Sequence, residues 1–156
     1  MVDRLNLFVD TNLLVSALDE LEPLHKEAVE IFKLRKTHNA RICISSIVLS
    51  EFIIVLKRKK YLTSNIEKLY FELINSGELF VFNIDGSQVY DATNKMLDLG
   101  LALRSSDFII ASTAVYFDTI LVTFDDQFYK NFKNAYRKVF NNSKNLKTFL
   151  DKLLNN

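Results

Sequence analysis

Leu5-Asn6-Leu7-Phe8-Val9-Asp10-Thr11-Asn12 begins with a short, nearly continuous apolar run and passes straight into a carboxylate. Such a run reads as a strand covered on both faces, the kind that builds parallel sheets. Asp10 then falls at the strand's carboxyl end, the edge at which open α/β sheets bind ligands. Three more acids stand at the border of an apolar segment: Glu51 in Ser45-Ser46-Ile47-Val48-Leu49-Ser50-Glu51-Phe52, Asp107 in Ser105-Ser106-Asp107-Phe108-Ile109-Ile110, and Asp125 in Leu121-Val122-Thr123-Phe124-Asp125. An ionised carboxylate among apolar residues must be paired, protonated or bound to metal, and several converging would repel one another. A hard divalent cation removes that conflict, because Mg²⁺ and Mn²⁺ take oxygen ligands and are held by one or two direct carboxylates plus water and substrate phosphates. The pattern points to a metal-dependent phosphodiesterase.

Outward from the first strand, Asn12 to Leu18 is apolar and helix-compatible, and Pro23 interrupts before an amphipathic stretch on Leu24, Ala28, Val29 and Phe32 that ends in the polar Lys33 to Asn39 region. Arg41 to Ile44 is the next expected strand. Ser45 or Ser46 caps a helix running through Glu51 to about Lys59, so Glu51 projects from a helix. Ser64 to Asn75 reads as helix, Leu79 to Phe82 as strand, Asp85-Gly86 as a turn, and Ser87 to Leu99 as a helix stopped by Gly100 in a left-handed C-cap. Ser105 or Ser106 is expected to cap a helix through Tyr116, placing Asp107 in its first turn, where the helix dipole favours an anion. Ile120 to Thr123 is a compact strand with Asp125 just beyond it; Phe128 to Lys133, Lys138 to Phe140 and Lys144 to Leu154 read as helix, strand and helix. Strands alternating with helices predict a three-layer α/β/α sandwich around a mainly parallel sheet.

At 156 residues, with nearly half of them apolar, the chain is expected to be one domain with a proper core. A formal net charge of +1 announces neither a nucleic-acid binder nor a membrane-surface protein, so any polyanion site must come from local arrangement. The single cysteine, Cys43, excludes an intramolecular disulfide framework and reads as a small buried strand residue. With no signal-like N-terminus and no apolar stretch near bilayer length, a soluble, cytoplasmic protein is expected. His25 and His38 are too isolated for a zinc site, and three glycines leave no phosphate-cradling loop.

The motifs, in order, resemble those of the PIN-domain ribonucleases, especially the small stand-alone forms typified by VapC toxins. Phe8-Val9-Asp10-Thr11-Asn12 is similar to the family's opening apolar-Asp-Thr-Asn/Ser motif and Ser46 to Glu51 to the helix carrying its glutamate. Leu99 to Ala114 is similar to its Gly-Leu-x-x-x-Asp-x-x-Ile-Ala-x-x-Ala segment, and Leu121 to Phe128 to its Leu-Val-Thr-x-Asp-x-x-Phe ending. The likeness spans roughly Leu5 to Phe132; residues 133–156 carry no distinctive motif and are left for dimer or partner contacts. The resemblance implies a PIN-like fold and an endoribonuclease using one or two Mg²⁺ or Mn²⁺ ions. Asp10, Glu51, Asp107 and Asp125 would be its catalytic and metal-binding acids, with Asp126 the rival of Asp125 for the last place. Thr11, Asn12 and Thr123 would orient carboxylates or water. It also implies a small antitoxin partner and a homodimer.

Other readings stand beside this one. Asp10, Asp107 and Asp125 singly could be a helix cap, a first-turn charge and a turn residue. Lys57 and Arg58, within Lys57-Arg58-Lys59-Lys60-Tyr61, and Arg104, three positions before Asp107, are candidate RNA phosphate contacts; a solvated helix end explains the lysine-rich run equally well. A haloacid-dehalogenase-like phosphatase would place an acid where Asn12 stands, and a phosphoreceiver domain would place a lysine where Asp125 stands, so both are disfavoured. A catalytically silent RNA- or protein-binding module and a housekeeping RNA-processing nuclease remain as alternatives.

Overall fold

The computed structural model describes residues 4–77, 79–101 and 104–155. The run Leu5–Val9 is strand β1, and it lies at the centre of a five-stranded sheet with β2 (Ala40–Ser45), β3 (Leu79–Phe82), β4 (Ile120–Val122) and β5 (Val139–Phe140), in the order β3-β2-β1-β4-β5. Every pairing is parallel. Successive side chains of a strand point to opposite faces, yet Leu7, Phe8 and Val9 are all fully buried, as are Ile42, Cys43 and Ile44 of β2. Both faces of the sheet are therefore covered, the three-layer arrangement that the apolar runs predict. Burial also pushes the Cys43 thiol up to about 12, which agrees with its reading as an inert strand residue.

Eight helices among the described residues supply the cover: α1 (Thr11–Leu18), α2 (His25–Thr37), α3 (Ser46–Arg58), α4 (Thr63–Asn75), α5 (Gly86–Asp98), α6 (Ser105–Tyr116), α7 (Asp126–Phe132) and α8 (Ser143–Leu154). Helix α2 ends at Thr37, inside the polar Lys33 to Asn39 region as expected, with Leu34 packed into the core while charged residues, which are good helix formers, face water. The helix ends correct the sequence reading at three places. First, Asp85-Gly86 is no turn: Gly86 is the first residue of α5, and Asp85 caps it in a reciprocal box with Gln88. Second, the N-cap of α6 is Arg104, not a serine, and its side chain makes no capping bond. Third, α7 starts at Asp126 rather than Phe128, with Asp125 as its N-cap. Gly100, at φ +68, has the left-handed conformation expected after α5. Ala102 and Leu103, inside the motif that leads to Asp107, lie outside the described residues.

Within the motif-free segment that follows α7, residues 133–155 complete the sheet with β5 and lay α8 against α2. Leu146 and Leu150 are fully buried there. Glu27 accepts a hydrogen bond from the Ser143 N–H at the start of α8, and the buried His38 ring reaches Asp151 over 2.9 Å. No helix among the described residues is long and apolar enough to cross a membrane.

Candidate active site

Asp10 ends β1 and caps α1, so its position is fixed from both sides. Its N–H bonds to the carbonyl of Val122 on the neighbouring strand, and its side chain accepts from the Thr11 N–H at 2.7 Å. The second carboxylate oxygen accepts from the Thr123 hydroxyl at 2.8 Å. That hydroxyl in turn accepts from the Asp125 N–H at 3.1 Å, which ties the Asp10 carboxylate to the backbone carrying the fourth acid. The Thr11 hydroxyl donates to Glu51 at 2.7 Å, joining α1 to α3. Thr11 and Thr123 thus each donate a hydrogen bond to one of the acids.

All four acids line one cavity of about 350 Å³ at the carboxyl edge of β1 and β4, with Asn12, Arg58 and Arg104 on its rim. Glu51 is carried there by α3, whose other side buries Val48, Phe52 and Leu56. Asp107 comes from the first turn of α6 and Asp125 from the N-cap of α7, where it accepts from the Phe128 N–H at 2.9 Å. Asp126, the alternative to Asp125, is exposed and does not line the cavity. Of the cationic run, Arg58 reaches the cavity; Lys57 bonds to Thr63 instead, and Lys59 is ion-paired with Asp19 and Glu22.

The electrostatics of the four acids are uneven. Asp10 is only 6% exposed, and burial pushes its carboxyl up to about 6 against the pull of the Thr123 and Thr11 hydrogen bonds, with the charges of Asp107 and Glu51 adding to the rise. Burial also raises the Asp107 carboxyl; the Arg104 guanidinium opposes that rise, and the charges of Asp125 and Glu51 reinforce it. Arg104, uncommitted as a cap, stretches across the two outer acids, 3.7 Å from Asp107 and 3.7 Å from Asp125. At 74% exposure these contacts are weak and solvent-screened. They nevertheless set a cation across a like-charged pair.

The donor set is all hard oxygen, and repulsion within it is a reason to bind a divalent cation. No group of three or more acidic, histidine or cysteine side chains among the described residues is arranged to hold an ion. Both oxygens of Asp10 are turned to Thr11 and Thr123, and Arg104 spans Asp107 and Asp125. The residues fit an ion that keeps much of its water and takes one or two carboxylates directly, the usual habit of Mg²⁺. Sequence reasoning missed Ile54, Val55 and Ser106 as cavity residues, and only the neighbourhood of Asp107 in sequence signals Ser106.

The same fold occurs in solved structures whose sequences are distant. VapBC2 of Rickettsia felis bound to a DNA fragment from its promoter is 24% identical, covering 81% of this chain and 93% of that one, with a TM-score of 0.61. A toxin-antitoxin complex from Klebsiella pneumoniae is 21% identical over 86% of this chain and 95% of that one, again at a TM-score of 0.61. VapC20 of Mycobacterium tuberculosis, a toxin that cleaves the sarcin-ricin loop, is 15% identical over 80% and 93%, at a TM-score of 0.59. Comparison with curated proteins found no match. The family model of the PIN domain matches residues 7–133, the span that contains all four acids and the strands and helices that position them, and the chain therefore belongs to the PIN domain family.

Proposed function

We propose that the chain, as a single PIN-like domain over residues 1–156, is a cytoplasmic endoribonuclease that hydrolyses RNA phosphodiester bonds with one or two Mg²⁺ or Mn²⁺ ions. The observation that carries this reading is the meeting of Asp10, Glu51, Asp107 and Asp125 on one cavity at the carboxyl edge of a parallel sheet. Asp10 is the central ligand, because its strand-end position and two hydrogen bonds leave it least free to move. Asp107 and Asp125 complete the ligand set directly or through water. When bound, the ion supplies Lewis acidity at a phosphoryl oxygen, a more acidic water and charge stabilisation at the leaving oxygen. Glu51, held by Thr11, orients the attacking water or ligates a second ion. Thr123 keeps Asp10 in register, and Arg104 and Arg58 draw the RNA phosphates to the rim. Membership in the PIN family, together with the likeness to VapBC complexes, supports a toxin's role, with a small antitoxin as partner and a homodimer as the working form.

A catalytically silent binding module is favoured by one observation, that among the described residues no group of three or more acidic, histidine or cysteine side chains is arranged around one ion. Cleavage of labelled transfer, ribosomal and synthetic single-stranded RNAs, with Mg²⁺, Mn²⁺ or a chelator, separates the two readings. Cutting that needs metal and is lost in folded Asp10→Asn and Asp107→Asn supports the nuclease. RNA binding without metal-dependent cutting puts the silent module in its place.

A further inference from the structure

A second cavity, of about 310 Å³, adjoins the acidic one and shares Asn12 and Val55 with it. Its lining includes Leu24, Val55, Phe124 and Lys59, whose ammonium is held by Asp19 at 2.8 Å and by Glu22. Phe124 stands in the chain between Thr123, which donates to Asp10, and Asp125, which lines the acidic cavity. The ring packs partly against the hydrophobic core, so it is a fixed wall. Asn12 is exposed in the first turn of α1, and its carboxamide has no hydrogen-bond partner among the described residues. It therefore presents one free donor face and one free acceptor at the border between the two cavities.

We propose that this second cavity receives the nucleobase of the nucleotide next to the bond cut at the acidic site, its face against the Phe124 ring and its edge on the Asn12 carboxamide. The proposal rests on the nuclease reading. A nucleotide joins a charged phosphate to a flat base with donors and acceptors on its edge, and the two adjoining cavities repeat that pairing. The first offers acids with Arg58 and Arg104 at the rim; the second offers an aromatic wall, apolar neighbours and an unpaired amide. Aromatic side chains recognise unstacked RNA bases in this way, and amide side chains read base edges. The Lys59 ammonium is already neutralised by two carboxylates, so it does not draw a second phosphate. Phe124 and Asn12 would thus set base preference at the cut, while the acids set the chemistry.

The test is an NMR titration of the full chain, in Mg²⁺, with the four ribonucleoside 5′-monophosphates and with ribose 5-phosphate as a baseless probe. The nucleotides should shift the Phe124 ring and Asn12 side-chain amide signals and bind on the order of tenfold more tightly than ribose 5-phosphate, the effect of one stacked base. Phe124→Leu, which keeps apolar bulk against the core, should remove that advantage and leave ribose 5-phosphate binding unchanged. Equal binding of the baseless probe and the nucleotides overturns the subsite and leaves the acidic site standing. An advantage that survives in Phe124→Leu overturns it also. Failure of the nuclease reading is seen separately, as base-dependent nucleotide binding by a chain that cuts no RNA with metal.

Discussion

Asp10 and Asp85 have the same local duty and opposite surroundings. Each follows a parallel strand and caps the next helix, Asp10 between β1 and α1, Asp85 between β3 and α5. Asp85 is exposed, accepts from Gln88 and Ser87, and is held below the ordinary carboxylate range by those hydrogen bonds. Asp10 is buried beside two further acids and is driven upward, to about 6. A cap needs only the first environment. A buried carboxylate facing other carboxylates is unfavourable for the fold, and such perturbed groups concentrate where chemistry is done. On the proposed reading, the contrast separates a structural aspartate from a functional one when local sequence does not.

The largest expected difference is in activity. Asp10→Asn should lower metal-dependent RNA cleavage by on the order of 10³-fold or more, through loss of the central ligand. Asp85→Asn should leave it within about twofold, since only a cap that does not line the acidic cavity has changed. Initial rates on one labelled RNA, with both variants checked for folding, decide the matter.

Stability should separate the pair in the opposite sense. The folded Asp10 value near 6 lies above the ordinary 3.8, so the unfolded chain gives up that proton first. Its contribution is therefore full below about pH 4 and is lost as pH rises through 6. At pH 8, without divalent metal, Asp10→Asn should be more stable than wild type by on the order of 2 kcal/mol, because the amide has no charge to bury, less the acceptor that it loses. The gain should vanish at pH 4. Asp85 has a depressed value, so its contribution is present above the ordinary carboxylate range and fades as pH falls. Asp85→Ala should lower the midpoint at pH 8 and cease to do so in acid. Urea denaturation at the two pH values checks both signs.

The sheet and the acids were legible because the apolar runs and the carboxylates are contiguous in the chain. Leu5 to Asp10 and Leu121 to Asp125 each hold strand and acid within a few residues. Asp85-Gly86 misled because that dipeptide favours turns; the deciding signal, Gln88 three positions on, was present and marks a capping box. The bridge of Arg104 to Asp107 and Asp125, and the pairing of Lys59 with Asp19 and Glu22, join residues whose distances no local pattern fixes. The same holds for the second cavity, whose walls come from the chain around residues 12–24, from α3 and from the segment after β4.

Arg104 gives a smaller test of the acidic region. Arg104→Gln removes the cation that opposes the rise of Asp107 and competes for Asp107 and Asp125. Mn²⁺ should bind a few-fold more tightly in calorimetry, while RNA binding weakens. The smallest effect is expected from the basic run. Arg58→Gln should reduce the salt dependence of RNA binding by about one counterion, and Lys57→Gln should not, because Lys57 is bonded to Thr63 and does not reach the cavity.

The central claim is that Asp10 bears a buried charge for the sake of a cation. Thermal midpoints of wild type and Asp10→Asn at pH 8, with and without millimolar Mn²⁺, test it most directly. The account predicts that the order reverses: Asp10→Asn melts higher in chelator, and wild type melts higher in Mn²⁺, because the ion binds the folded wild type and not the variant. Midpoints that keep the same order in both conditions would contradict it.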